Sequence, residues 1–223
     1  MRLRSLRRTG GIAATVLALS LGLAACGDDD SDDTSSTGSS GTSESAGSGD
    51  TEPGGDDPAA QAFGEGCSAI PTTGDGSFDG MVQDPVATAA STNPVLTTLT
   101  AAVGAVPGLA DNLNGAEGLT VFAPADPAFD AIPKKTLNAL LAGAEKDGMD
   151  SDLATVLGYH VVAGQLDPAS VVGTQMTLQG ESVEVEGDES GMTVNGAAVL
   201  CGNIPTANAT VYVIDQVLMP PAA

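Results

Sequence analysis

Histidine, cysteine and acidic residues are the groups in this 223-residue chain with chemistry to offer. The first two are scarce: one histidine, His160, and three cysteines, Cys26, Cys67 and Cys201. An imidazole acting as general base needs a nucleophile within reach and an acid to orient it. The sequence contains no Gly-x-Ser-x-Gly elbow, no His-Glu-x-x-His pair and no Walker loop. His160, next to Tyr159, therefore reads as a structural hydrogen bonder, and no catalytic residue is assigned. No Cys or His neighbour stands at ligand spacing, so neither a metal nor a cofactor is expected. The charge excludes another class. With 29 acids against 7 bases, a net charge of −22, and six aromatics without Trp, the chain lacks the clustered cations and stacking faces that nucleic acids require.

That charge is segregated along the chain. All four arginines (Arg2, Arg4, Arg7, Arg8) precede an uncharged run from Ile12 to Leu23, which ends in Leu23-Ala24-Ala25-Cys26. A basic start, a short apolar run and small residues at its end describe a secretory signal over residues 1–25. Leu-Ala-Ala-Cys resembles the lipobox of bacterial lipoproteins, which implies that Cys26 becomes the lipidated first residue of the mature chain. Two acyl chains suffice for stable anchoring where one does not, so the expected location is the extracytoplasmic face of the cell membrane. Arg7-Arg8 is followed by Thr9-Gly10 rather than apolar residues, which disfavours a twin-arginine export route.

Residues 27–60 carry ten acids, no base and no large apolar side chain. Such a composition cannot bury enough surface to offset ordering entropy, so 26–60 reads as a lipidated cysteine plus a tether. As a flexible coil it spans roughly 30 Å, and about 110 Å when straight. A calcium loop at Asp28 to Asp33 lacks the required spacing and closing Glu.

Residues 61–223 hold the remaining 19 acids and three lysines and have single-domain length. In an exported protein Cys67 and Cys201 are expected to pair rather than stay as free thiols or bind metal. The chain-entropy model gives such a closure an upper worth of about 4 to 5 kcal/mol. Helical patterns come first: Val82 to Ala90; a second helix from Asn93-Pro94 through Leu96, Leu99 and Val103 until Pro107-Gly108; one opened by Pro133; and one from Asp150-Ser151 into Tyr159-His160. Strand patterns lie at Leu119 to Ala123, Met176 to Leu178, Ser182 to Glu186 and Met192 to Val194. Asn195-Gly196 is a hairpin turn, followed by Ala198 to Cys201 and Ala209 to Leu218. The fold class is α+β, with helices packed around a wedge of short, mostly antiparallel strands.

Three segments in order are more specific: Thr120-Val-Phe-Ala-Pro-Ala-Asp-Pro-Ala-Phe129, Tyr159-His160-Val161, and Ala209-Thr-Val-Tyr-Val-Ile-Asp215-Gln-Val-Leu-Met-Pro220. Together they resemble the fasciclin (FAS1) domain over residues 81–220, and the flanking runs resemble the small single-domain fasciclin antigens of mycobacteria. One departure is Ala125, where the family commonly has Thr. The resemblance implies a non-enzymatic surface module that mediates adhesion or binds an extracellular or host protein receptor. It also makes Tyr159 and His160 a candidate contact surface, since that region is associated with adhesion in animal fasciclin domains. The alternative is a carrier of a small apolar, lipid-like ligand in a cleft between helices and sheet. Physically the motif residues read as structural. Phe122 and Phe129 bury on either side of the bend at Ala123-Pro124, and Asp126 caps the helix that follows it, at a cost of about 1 kcal/mol if removed.

One expected outcome follows from the sequence alone. Cys26→Ala should move the protein from the membrane to the soluble fraction on cell fractionation, and retention of that variant would show the lipobox to be misread.

Overall fold

The computed structural model describes residues 57–221; the signal peptide, Cys26 and the tether up to residue 56 lie outside the described residues. Four short helices open the fold: α1 (Pro58–Gln61), α2 (Phe78–Met81), α3 (Val86–Thr92) and α4 (Thr97–Ala105). Next come α5 (Leu109–Gly115), β1 (Leu119–Pro124), α6 (Asp126–Asp130), α7 (Lys134–Asp147) and α8 (Asp152–Tyr159). β2 (Val161–Ala163), α9 (Pro168–Val171), β3 (Gly173–Met176) and β4 (Ser182–Glu186) follow. β5 (Thr193–Val194), β6 (Ala197–Pro205) and β7 (Ala209–Ile214) end the series.

The seven strands lie in the order β2-β1-β7-β6-β5-β4-β3. Every pairing is antiparallel except β1 with β7, which run parallel with Leu119 opposite Ala209 and Pro124 opposite Ile214. Both strands of that pair are buried along their whole length. Alternation along a strand sends successive side chains to opposite faces, and here each face has its own core. Val121, Ala123, Val211 and Val213 pack with the helices, whereas Phe122, Tyr212 and Ile214 face a second core with Val183, Val185 and Val194.

The second core forms because the sheet bends back on itself. β6 takes two register shifts, between Val199 and Cys201 and between Cys201 and Ile204, and such irregularities bend a strand and increase its twist. The outermost strands then meet: Val162 of β2 bridges Thr177 just past β3, and the Leu178 N–H donates to the Val161 carbonyl at 2.7 Å. Asn195-Gly196 makes the two-residue turn from β5 to β6, with φ of 48° and 83°, as that dipeptide predicts.

Several boundaries differ from expectation for identifiable reasons. The helix expected over Val82 to Ala90 starts only at Val86, because Pro85 sits extended at φ −61°, ψ 154° and serves as the capping residue. Asn93-Pro94 forms a turn ahead of α4 rather than its first residues, with the Asn93 Oδ1 accepting from the Val95 N–H at 3.1 Å. The first strand past α9 is Gly173–Met176 rather than Met176 to Leu178. The last three residues of the expected tether, 58–60, belong to α1, where Pro58 is buried and Asp57 caps the turn.

A terminal arm closes the fold. Phe63 pairs with Gly202 on the free side of β6, its ring meets Tyr212 edge-on at 6.3 Å, and Cys67 is bonded to Cys201 across 134 residues of sequence. Gly64 lets the arm approach: its φ is 105°, and a Cβ there would lie 2.3 Å from the Leu200 carbonyl oxygen. Gly64→Ala should therefore destabilise the domain by about 2 to 4 kcal/mol. Gly143→Ala, inside α7 with open space around it, should stabilise by about 0.5 to 1 kcal/mol. Chemical denaturation of both variants checks the pair; equal midpoints would contradict the packing of the arm.

Candidate functional site

The motif residues converge on the junction between the two cores. Thr120 is fully buried, and its hydroxyl donates to the Gly164 carbonyl at 2.7 Å while accepting from the Leu166 N–H at 2.9 Å. Phe122 packs against Tyr212 with ring centroids 5.9 Å apart, and Phe129 lies in the helical core, so the two rings take opposite sides of the strand. Pro124 ends β1 opposite Ile214. Asp215 extends the β6–β7 pairing: its N–H donates to the Ala198 carbonyl at 3.0 Å, and its Oδ1 accepts from the Ala198 N–H at 2.7 Å.

Asp126 does not cap its own helix. It is the first residue of α6, whose capping residue is Ala125, with no side-chain bond. Its carboxylate instead accepts from the Thr98 N–H and the Thr97 hydroxyl, both at 2.7 Å, at the start of α4. Burial alone would raise its pKa, but these hydrogen bonds prevail and hold it below the usual carboxylate value. α4 needs the help because its own capping residue is Leu96, which has no acceptor to offer.

Tyr159 and His160, the candidate contact surface, are each only 2% exposed. That is a correction to the reading as an exposed contact, and its cause is hydrogen bonding inside the fold. The Tyr159 hydroxyl donates to the Ser182 carbonyl at 3.0 Å and accepts from the Asn195 Nδ2 at 2.8 Å. The His160 Nε2 accepts from the Leu218 N–H at 2.9 Å, which assigns the proton to Nδ1, 2.8 Å from the Val156 carbonyl. Both ring nitrogens are thus engaged, and the imidazole ties the end of α8 to the chain beyond β7. Burial pushes its pKa down to about 4, with the Val156 hydrogen bond opposing.

Asn208 is a functional group of the fold that sequence reasoning missed as a chemical residue. Its Oδ1 accepts from the Val86 N–H at 2.9 Å, at the start of α3, where the capping residue Pro85 has no side-chain acceptor. Its Nδ2 donates to the carbonyls of Leu113 and Ala116 at the end of α5. Nothing local in Thr206-Ala-Asn208-Ala-Thr210 marks its partners. Cys67 and Cys201 are joined, and Cys26 lies outside the described residues. Among the described residues no group of three or more His, Cys, Asp or Glu could hold a metal ion, and no helix is long and apolar enough to cross a membrane. An apolar cavity of about 190 Å³ lies between α3, α4, α5 and β1.

Helices on one side of a bent sheet, a parallel pair buried on both faces and three motifs meeting at its centre define the fasciclin domain. Residues 94–220 match the family described as Fasciclin domain, and the chain belongs to it. It is similar to the cell surface glycolipoprotein MPB83 of Mycobacterium bovis, 49% identical over 173 residues that cover 74% of this chain and 76% of that one. The immunogenic protein MPB70 of the same species is 50% identical over 171 residues, 74% of this chain and 85% of its own. Among solved structures, the FAS1 domain pair of the insect cell adhesion molecule Fasciclin I shares the fold at 16% identity, with a TM-score of 0.51 over 63% of this chain. The chain spans about half of that pair, 52%.

The enclosed imidazole predicts a pH dependence. Its folded pKa lies below its unfolded value near 6.5, so the fold binds fewer protons than the unfolded chain. The stability contribution is complete above that value and is lost as pH falls toward 4, roughly 3 kcal/mol in all. Denaturation midpoints should fall across this window in the native chain, with a shallower fall in His160→Gln. Identical slopes in the two would show that the ring is open to solvent.

Proposed function

We propose that the protein is a non-enzymatic, lipid-anchored surface protein whose fasciclin domain makes protein contacts outside the cell. The observation that carries this reading is the engagement of both nitrogens of the chain's one histidine inside the fold. Motif residues that could suggest chemistry hold strands and helix ends together, so the molecule offers surface rather than an active centre. Likeness to a cell surface glycolipoprotein and to an immunogenic protein supports display outside the membrane.

In this reading residues 1–25 direct export, acylated Cys26 holds the chain in the membrane, and the acidic spacer that follows lifts the domain off it. The domain's own acidity works in the same direction. Nineteen acids against three lysines over residues 61–223 repel an anionic lipid surface, within a screening length of about 8 Å at physiological salt. A contact made by such a domain is therefore made away from its own membrane, with a receptor protein.

The test is saturable binding of the compact unit, residues 52–223, to extracellular-matrix and host-cell surface proteins, against a peptide of residues 27–56 as control. Binding weakened by added salt and absent from the control is the expected result. A domain that binds nothing beyond the control overturns the reading.

A further inference from the structure

We propose that the cavity between α3, α4, α5 and β1 binds one linear hydrocarbon chain of an uncharged lipid, whose polar end lies in the adjoining groove. This concerns a different part of the molecule from the outward-facing surface and does not depend on the contact reading above.

The cavity floor is Val86, Leu99, Val121, Phe122, Leu157 and Val161, all buried. Two polar side chains reach its wall, and neither is free. The Thr100 hydroxyl donates to the Leu96 carbonyl at 3.0 Å, and both nitrogens of His160 are bonded as described. No buried side-chain nitrogen or oxygen among the described residues lacks a partner. A water molecule placed there would miss the two to four polar partners it needs, and apolar cavities of about 150 Å³ stay dry and accept a benzene-sized guest. At about 190 Å³ the space suits roughly six to eight carbons by the same comparison.

The mouth points to a chain rather than a compact guest. Leu178 lines the cavity yet is 56% exposed, and it also lines a neighbouring groove of about 500 Å³ that shares Leu109, Leu113 and Gly158. Met149, 48% exposed, continues the apolar floor of that groove, and the amide side chains of Asn112 and Gln179 stand along it. An occupant longer than the cavity runs over Leu178 and meets neutral hydrogen-bonding groups.

Neither hollow is lined by an Asp, Glu, Lys or Arg. An ionised head would lose hydration there without gaining a counter-charge, so the structure selects an alcohol, ester or amide head.

Three probes with one chain length separate the parts of the proposal: 1-decanol, decanoate and decyltrimethylammonium. Each is titrated calorimetrically below its micellar concentration into the purified chain carrying Cys26→Ala, which leaves no acyl group of its own. Decanol should bind saturably at one per chain and raise the melting temperature, with the two ions at least tenfold weaker. Ala110→Leu, which fills the cavity from α5, should reduce decanol affinity at least tenfold. Leu178→Glu, an exposed change at the mouth, should do the same while keeping the native circular dichroism, so a misfolded Ala110→Leu leaves the test intact. Absence of saturable decanol binding, equal affinity for an ionised probe, or undiminished binding by a folded variant each overturns the assignment.

Discussion

The parallel pairing of β1 with β7 joins residues 119–124 to residues 209–214, and both hydrophobic cores are built on it. A parallel pair cannot be closed by a tight turn; here the intervening chain supplies α6 to α9 and the other five strands. Because both strands are buried on both faces, each alternate side chain must suit a different core. Val121 and Val211 serve the helices while Phe122 and Tyr212 serve the bent sheet. A one-residue slip would exchange the two sets, placing aromatic rings among the helices and small side chains in the sheet core. The motif Thr-Val-Phe-Ala-Pro is best understood as the requirement for that register, written in side-chain size.

Around this pair the polar groups of the motifs act at a distance. α3 and α4 begin at Pro85 and Leu96, neither of which carries a side-chain acceptor, and their free N–H groups are met by Asn208 and Asp126. Those bonds link segments 122 and 28 residues apart in sequence. Each ties a helix start to the end of a central strand or to the approach to one. Capping here therefore doubles as tertiary structure, and the energy usually assigned to a local helix end holds the helical layer against the sheet.

This division explains what was legible from residues alone. Alternation over Ser182 to Glu186, the Asn195-Gly196 turn and the capping of α8 by Ser151 are local, and local rules find them, whereas the parallel register of β1 on β7 joins distant segments and is set by the folded chain. α5 was missed because Leu-Ala-Asp-Asn-Leu-Asn-Gly looks like a loop; its end is held by Asn208 rather than by its own composition. Asp126 is expected from sequence to cap the helix that follows it, whereas its carboxylate meets the start of α4, because sequence spacing cannot show which helix terminus lies within its reach. The site was read in the same way: that His160 is structural followed from its isolation, whereas its two partners came only from the folded chain.

The Cys67–Cys201 bond has a further consequence for a molecule displayed outside a cell. The closed ring contains β1 to β5, the first part of β6 and every helix from α2 onward, while β7 lies wholly beyond it. A protease that cuts any loop within that ring produces two segments still covalently joined, with β7 hydrogen-bonded to β1 and β6. A first cut there neither sheds a fragment nor separates the central strands. A cut ahead of Cys67, by contrast, frees the ring from whatever precedes it, so the same bond that resists dismantling defines the piece that would be released whole.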